Sequence, residues 1–441
     1  MDRQGEGSGP PAEADAAEAA YERFVWTNLP RNFAGHFMHG MLGMTGFRLF
    51  NAPTFLPAYL YLLSGSDFVV GLGQSLQQLG GVVSPVIGAT QVEHRKRVLP
   101  VAMTMGTLMR IQVLGVAVSG FFVHGRALLI AVLSFLFLLG LCSGAQNVAF
   151  QLLLAKVIPI SRRGFLQAVR NVTGGAIAAA LAWGAGRYII QPNLWGNGYG
   201  VTFLLAFVLT SLGLTALALL MREPEPPRVR PRSRVMDRVR EFPDLLRADR
   251  GFAWFLIAQT LATAARIAAP FYILYAGRVT PLSGATLGLF SLAFLGADTV
   301  TNLGWGLAGD RLGFRATFLA SLVLWTAATA LLMAAPALGH HADVRLFISA
   351  AFFGLGSSQS GFQMSSQTMV LEFGAREDIA MRLGLTSTAQ GAMSALSPLA
   401  GGLIAAAFGY ETLFGVSIAF LIIALAVLVS VVEEPRFRNV A

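Results

Sequence analysis

The chain has 441 residues, of which 55% are hydrophobic and only 12% charged, and its formal net charge is +9. Soluble domains run nearer a quarter charged, so a water-soluble globule of this size is excluded. The basic excess sits in short segments between apolar runs rather than on one face, which excludes a nucleic-acid surface, and a single cysteine, Cys142, excludes a disulfide framework.

Residues 1–35 begin as an acidic stretch rich in Ala, Gly and Pro and lack the basic start and apolar core of a cleavable signal. A disordered cytoplasmic tail is expected there. Twelve apolar runs follow, at 36–62, 69–90, 98–122, 128–155, 164–189, 200–221, 252–276, 283–308, 316–336, 345–371, 383–407 and 411–432. Each has about the 20 residues that a helix needs to cross a bilayer core. Barrel strands would alternate with period two, whereas these runs are continuously apolar, so the expected class is an all-α membrane protein with twelve transmembrane helices. His36 and His39 open the first span and are expected at the interface. Residues 222–251, rich in Arg and Pro, read as a basic linker followed by a short amphipathic helix on the membrane surface. Residues 433–441 form a second tail.

Topology follows from the cations. Of the 32 Lys and Arg, 24 fall on the side that bears both termini, four (Arg126, Arg187, Arg278, Arg345) on the other, and four inside spans. That asymmetry predicts cytoplasmic termini and residence in the cell's inner (plasma) membrane. The chain also repeats itself at an offset of about 218 residues: Arg97 with Arg315, and Arg48 with Arg266, each of the latter followed by a proline, Pro53 and Pro270. Such an offset is expected when two six-helix halves, 36–221 and 252–432, repeat in parallel.

The segment Gly306-x-x-x-Asp310-Arg311-x-Gly313-x-Arg315 resembles the loop signature of the major facilitator superfamily, and the likeness extends over most of 36–432. In the first half the matching place has Val92 and Glu93 where the acid is expected, with Arg97 at its end. The resemblance implies two pseudo-symmetric six-helix halves around a central cavity, worked by alternating access. It also implies a cytoplasmic gate in which Asp310 and Arg311 latch helix ends that must separate when the bundle rocks. Span 11 carries Ser397-Pro398 and Gly401-Gly402, similar to the superfamily's proline-glycine packing motif. Span 5 lacks that proline, which counts against the superfamily's drug/proton antiporters.

Charges inside spans are costly and mark functional sites by default. Arg48 and Arg266 lie about 20 Å from the cytoplasmic ends of their spans, at a rise of about 1.5 Å per residue. The resemblance places spans 1, 4, 7 and 10 around the cavity, so the two guanidiniums would face each other across it, with Asn51 close by. A guanidinium presents a rigid donor fork that suits carboxylate or phosphate. The competing reading is that each Arg is neutralised by a neighbour and only ties helices together. Gln146, Asn147 and Gln151 in span 4, Gln259 and Thr263 in span 7, and Gln359 and Gln363 in span 10 share helix faces and would hydrogen-bond a polar solute. Interhelical packing is the alternative for them. Asp298, at a depth near that of Arg266, reads either as a proton carrier or as its ion-pair partner; Arg110 and Arg170 complete the set of charges.

The chain has no GxxxxGK[ST] loop, no metal-ligand spacing and no catalytic constellation, so no cofactor, metal or enzymatic role is expected. The expected function is secondary active transport, by symport or antiport, of a small organic anion by a monomer, with protons as the candidate coupling ion. The alternative is a proton-coupled exporter of hydrophobic or amphipathic compounds.

Overall fold

A computed structural model describes residues 11–92, 95–225, 245–247, 249–338, 344–373 and 379–434. Glu93, most of the basic linker and the tail beyond 434 lie outside the described residues. Among those described, the regular elements are all helical.

The expected N-terminal tail is corrected over most of its length. Pro11–Thr27 forms helix α1, and α2 begins at Leu29 rather than near residue 36. Ala is the strongest helix former and fills much of α1. Two contacts fix this region: the Tyr21 hydroxyl donates to the Lys156 carbonyl at 3.0 Å, and Arg31 donates to the carbonyls of Leu219 and Leu220.

The first pass consists of α2 (Leu29–Phe50) and α3 (Phe55–Ser64), interrupted around Pro53. Its counterpart in the second half is α9 (Arg250–Ala264), a 3₁₀ stretch (Ala265–Phe271) containing Pro270, and α10 (Tyr272–Val279). Each was expected as one continuous span. Proline has no N–H to donate and its ring collides with the turn before it, so the α-helix ends just after Arg48 in the first half and just before Arg266 in the second. The two prolines therefore give the duplication a structural meaning.

The rest of the first half is α4 (Asp67–Val92), α5 (Leu99–Phe122), α6 (Gly125–Val157), α7 (Ile160–Ala185) and α8 (Gly198–Leu220). The second half continues with α11 (Gly284–Leu312), α12 (Phe314–Ala334), α13 (Val344–Glu372), α14 (Ile379–Phe408) and α15 (Tyr410–Ser430). Eight helices among the described residues are long and apolar enough to cross a membrane. The long helices outside that set are α2, α4, α7 and α13. These carry the glycines, amides and arginines that face the cavity or the seam between halves, where lipid does not reach.

Glycine brings the halves together at the end of the bundle opposite the termini. A Cβ on Gly71 of α4 would run into the Pro398 carbonyl of α14, and one on Gly288 of α11 would meet the carbonyls of Ala182 and Trp183 on α7. The Ser75 hydroxyl accepts from the Leu399 N–H at 2.9 Å, and Tyr410 donates to Asp67 across the same seam. The inter-half contacts at this end are therefore backbone-close. At the terminus-bearing end the helix tips are held within each half instead. Glu223, just past α8, accepts from the N–H groups of Val98 and Leu99 at the start of α5 and pairs with Lys156 at 2.9 Å. Glu434, just past α15, accepts from the Arg315 N–H at the start of α12. An acid after the last helix thus caps the third helix in both halves.

This arrangement corrects the expected gate. Asp310 and Arg311 face solvent and pair with no described residue. Arg315 donates instead to the carbonyls of Leu428 and Val429, while Arg97 pairs with Glu225 at 3.0 Å within the first half. Gly313 turns the chain between α11 and α12 at φ +88°, a conformation that disfavours any residue with a Cβ. Gly306 lies opposite Met364 on α13.

Candidate functional site

A cavity of ≈ 620 Å³ lies between the halves. That volume suits one small organic molecule. Four arginines line it, Arg48 on α2, Arg110 on α5, Arg170 on α7 and Arg266 in the 3₁₀ stretch, with Asp298 on α11 as the one carboxylate among the lining residues.

Arg48 and Asp298 do not behave as the sequence suggested. Arg48 Nη1 lies 3.0 Å from Asp298 Oδ2 and 3.2 Å from Thr299 Oγ1, so the acid pairs with the arginine of the opposite half rather than with Arg266. Gly175 on α7 makes room for this: a Cβ there would press on Thr299 and on Arg48 Nη1. Side-chain exposures of 25% for Arg48 and 15% for Asp298 show a pair still in contact with the cavity. The reading of Arg48 as one half of a symmetric anion clamp is thereby weakened, since its charge is already matched.

Arg266 is different. It lines the cavity and forms no hydrogen bond or ion pair with a described residue. The 3₁₀ stretch holds it in place, with the Ala265 carbonyl accepting from Ser417 at 2.7 Å. Near it an aromatic wall is fixed by hydrogen bonds: Trp325 Nε1 donates to the Tyr272 hydroxyl at 3.1 Å, and that hydroxyl lies 3.0 Å from Thr329 Oγ1.

Arg110 and Arg170 sit deeper in the first half, at 3% and 8% exposure. Arg110 donates to the carbonyls of Thr210 (2.7 Å) and Gly106 (2.6 Å), and its Nη2 has no partner. Arg170 donates to Gln167 Oε1 at 2.5 Å, and its Nε has none. His36 and His39, expected at the interface, are buried instead: both rings pack on Phe150, with centroids 5.0 and 4.6 Å away. The sequence reading missed them because α2 starts earlier than its apolar run, which carries both histidines inside the bundle.

The polar residues divide. Asn51, Gln146, Asn147, Gln359 and Gln363 line the cavity, and Asn51 accepts from Gln77 at 2.9 Å. Gln151 is exposed and outside the lining. Gln259 is buried, donating to the Ser366 carbonyl at 3.4 Å, and Thr263 donates to the Gln259 carbonyl at 2.8 Å. These last two serve helix packing, the alternative weighed for them. His39, Gly40, Phe150, Tyr272 and Trp325 are lining residues or close neighbours that hydropathy did not single out; the Gly40, Gly43, Gly46 spacing on α2 was the available signal.

Residues 254–440 match the family profile described as Major Facilitator Superfamily. No curated protein matches the sequence. Among solved structures the fold is similar to a mutant of the nucleoside transporter NupG (TM-score 0.73, 13% identity, covering 90% of this chain and 100% of that one). It is also similar to a bacterial homologue of the iron transporter ferroportin in an inward-facing state (TM-score 0.68, 14% identity, covering 91% and 98%). A D-xylose-proton symporter matches at TM-score 0.65 and 14% identity, covering 94% and 98%.

Proposed function

We propose that the chain is a multi-pass secondary transporter of the major facilitator type and that its cargo is a small organic anion held by Arg266. The observation that carries this is the charge of the cavity wall: four guanidiniums against one carboxylate, with Arg266 unpartnered among the described residues. A buried charge without a counter-charge is strongly unfavourable, and an anionic solute supplies what the wall lacks. The amides Gln359 and Gln363 and the Trp325–Tyr272 wall would orient the rest of the molecule. Close packing at the end away from the termini is consistent with one extreme of an alternating-access cycle. The distribution of cations supports cytoplasmic termini and an inner-membrane location.

The test is uptake into proteoliposomes, or binding to purified protein, of a panel of organic anions and neutral analogues with Arg266→Gln. Loss of anion preference supports the reading; an unchanged preference in folded protein removes it.

A second element of the proposal concerns coupling. Asp298 joins the halves through Arg48, and its protonation would release that tie, so protons are the coupling ion we favour. An Asp298→Asn transporter that still responds fully to a pH gradient would refute this. The amphipathic-exporter alternative draws on Phe47, Phe294, Phe352 and Leu355 in the lining, which suit a cargo with an apolar body.

A further inference from the structure

The first half holds a concentration of polar atoms that nothing so far uses. His39 is 7% exposed, and neither of its ring nitrogens has a hydrogen-bond partner. Arg110 Nη2 and Arg170 Nε are also unpartnered and buried, and no described carboxylate pairs with either arginine. All three residues line the same cavity as Arg266.

Their placement is specific. Phe150 carries His39 stacked on its ring and the Arg170 guanidinium 5.8 Å from its centroid. The aliphatic part of Arg170 lies directly over Gly40, where any Cβ would collide with it. Arg110 Nη1 and Gln146 Nε2 both lie 3.2 Å from the position of a Cβ on Gly106, so that amide adjoins the Arg110 guanidinium. Buried polar groups are normally satisfied, and a cluster of orphaned donors around a cavity calls for an acceptor.

We propose that His39, Arg110 and Arg170, with Gln146, form a second oxyanion subsite, so that the cargo carries two acidic groups, carboxylate or phosphate, one bound here and one at Arg266. This rests on the anion reading above and extends it. Arg170 precedes Gly175, the neighbour of Arg48, by five residues, and Gly40 precedes Arg48 by eight. At a rise of about 1.5 Å per residue the subsite lies about 8–12 Å from the level of Arg48 toward the terminus-bearing end. Arg266 is the repeat counterpart of Arg48. The cargo is therefore an elongated dianion with its acids at opposite ends.

The experiment compares binding of α,ω-dicarboxylates from succinate to suberate with monocarboxylates of the same length, using the purified full chain. Wild type, Arg170→Gln, His39→Gln, Gly40→Ala and Arg266→Gln are titrated by intrinsic tryptophan fluorescence and thermal shift. Wild type is expected to bind a longer dianion about ten- to hundredfold more tightly than its monoanion, the worth of one or two charge-assisted hydrogen bonds. In Arg170→Gln and Gly40→Ala that ratio falls toward one. A purely structural role for the cluster would weaken both ligands together and leave the ratio intact, which overturns the proposal. A ratio near one in wild type, with Arg266→Gln weakening both ligands, also overturns it while the anion reading stands. If no anion binds more tightly than its neutral analogue, both readings fall. Inorganic phosphate that raises monoanion affinity would assign the subsite to a separate anion and overturn the two-acid cargo; phosphate that competes with the dianion supports it.

Discussion

Replacing Asp298 with Asn removes the one carboxylate from the cavity wall with little change in volume. At the observed 3.0 Å, Coulomb attraction to Arg48 is about 5.5 kcal/mol at an effective dielectric constant of about 20. Desolvation of both groups cancels much of this, and each side chain keeps some contact with the cavity, so a net coupling of about 1–3 kcal/mol is expected. The single variant should cost more than that coupling alone, about 3 kcal/mol, because Arg48 is then left without a counter-charge in a cavity wall that already carries three other guanidiniums. Arg48→Gln in the same background relieves the repulsion, so the double variant should be more stable than the sum of the two single effects implies. A double-mutant cycle on purified protein, unfolded in a fixed detergent and buffer, measures this directly. Effects that add to within about 0.5 kcal/mol would show that the pair does not couple the halves.

Two further outcomes follow from the packing. Glu223→Ala uncaps α5 and leaves the largely buried Lys156 with only the Lys96 carbonyl as acceptor, and it should lower stability by about 3 kcal/mol, measured by thermal unfolding against the exposed-pair control Glu225→Ala. Gly71→Val overpacks the seam against Pro398 by about 1–3 kcal/mol and should shift the population toward a form open at the far end. With Cys142→Ser and Asn51→Cys added, labelling of residue 51 by an impermeant maleimide from that side should rise roughly tenfold, since about 1.4 kcal/mol is a factor of ten in population. Unchanged labelling would contradict closure at that seam.

The fold was largely legible because its determinants are local. Apolar length set the spans, and the offset linking Arg48 to Arg266 and Pro53 to Pro270 set the duplication. The same prolines that marked the repeat break the helices, a consequence that hydropathy windows average away. Which charges meet was not legible, because the partner of Asp298 depends on the angle at which α2 and α11 cross the seam, and residues of equal depth on neighbouring helices were the only guide. Gln259 illustrates the limit of helix faces: it shares a stripe with Arg266 yet is spent on the Ser366 carbonyl, since α13 covers that turn of α9. The acids that cap α5 and α12, Glu223 and Glu434, lie at the start of segments that read as linker and tail, each just before a proline. Their role appears only once the helix ends lie side by side.

The central claim is that the guanidinium of Arg266 recognises the negative charge of the cargo. It is tested most directly by a structure of the protein bound to a brominated carboxylate, in which the halogen fixes the orientation of the ligand. The carboxylate is predicted to lie within about 3 Å of the Arg266 nitrogens, with the Arg48–Asp298 pair undisturbed. A ligand whose acidic group points away from Arg266, or takes the place of Asp298 on Arg48, would contradict the account.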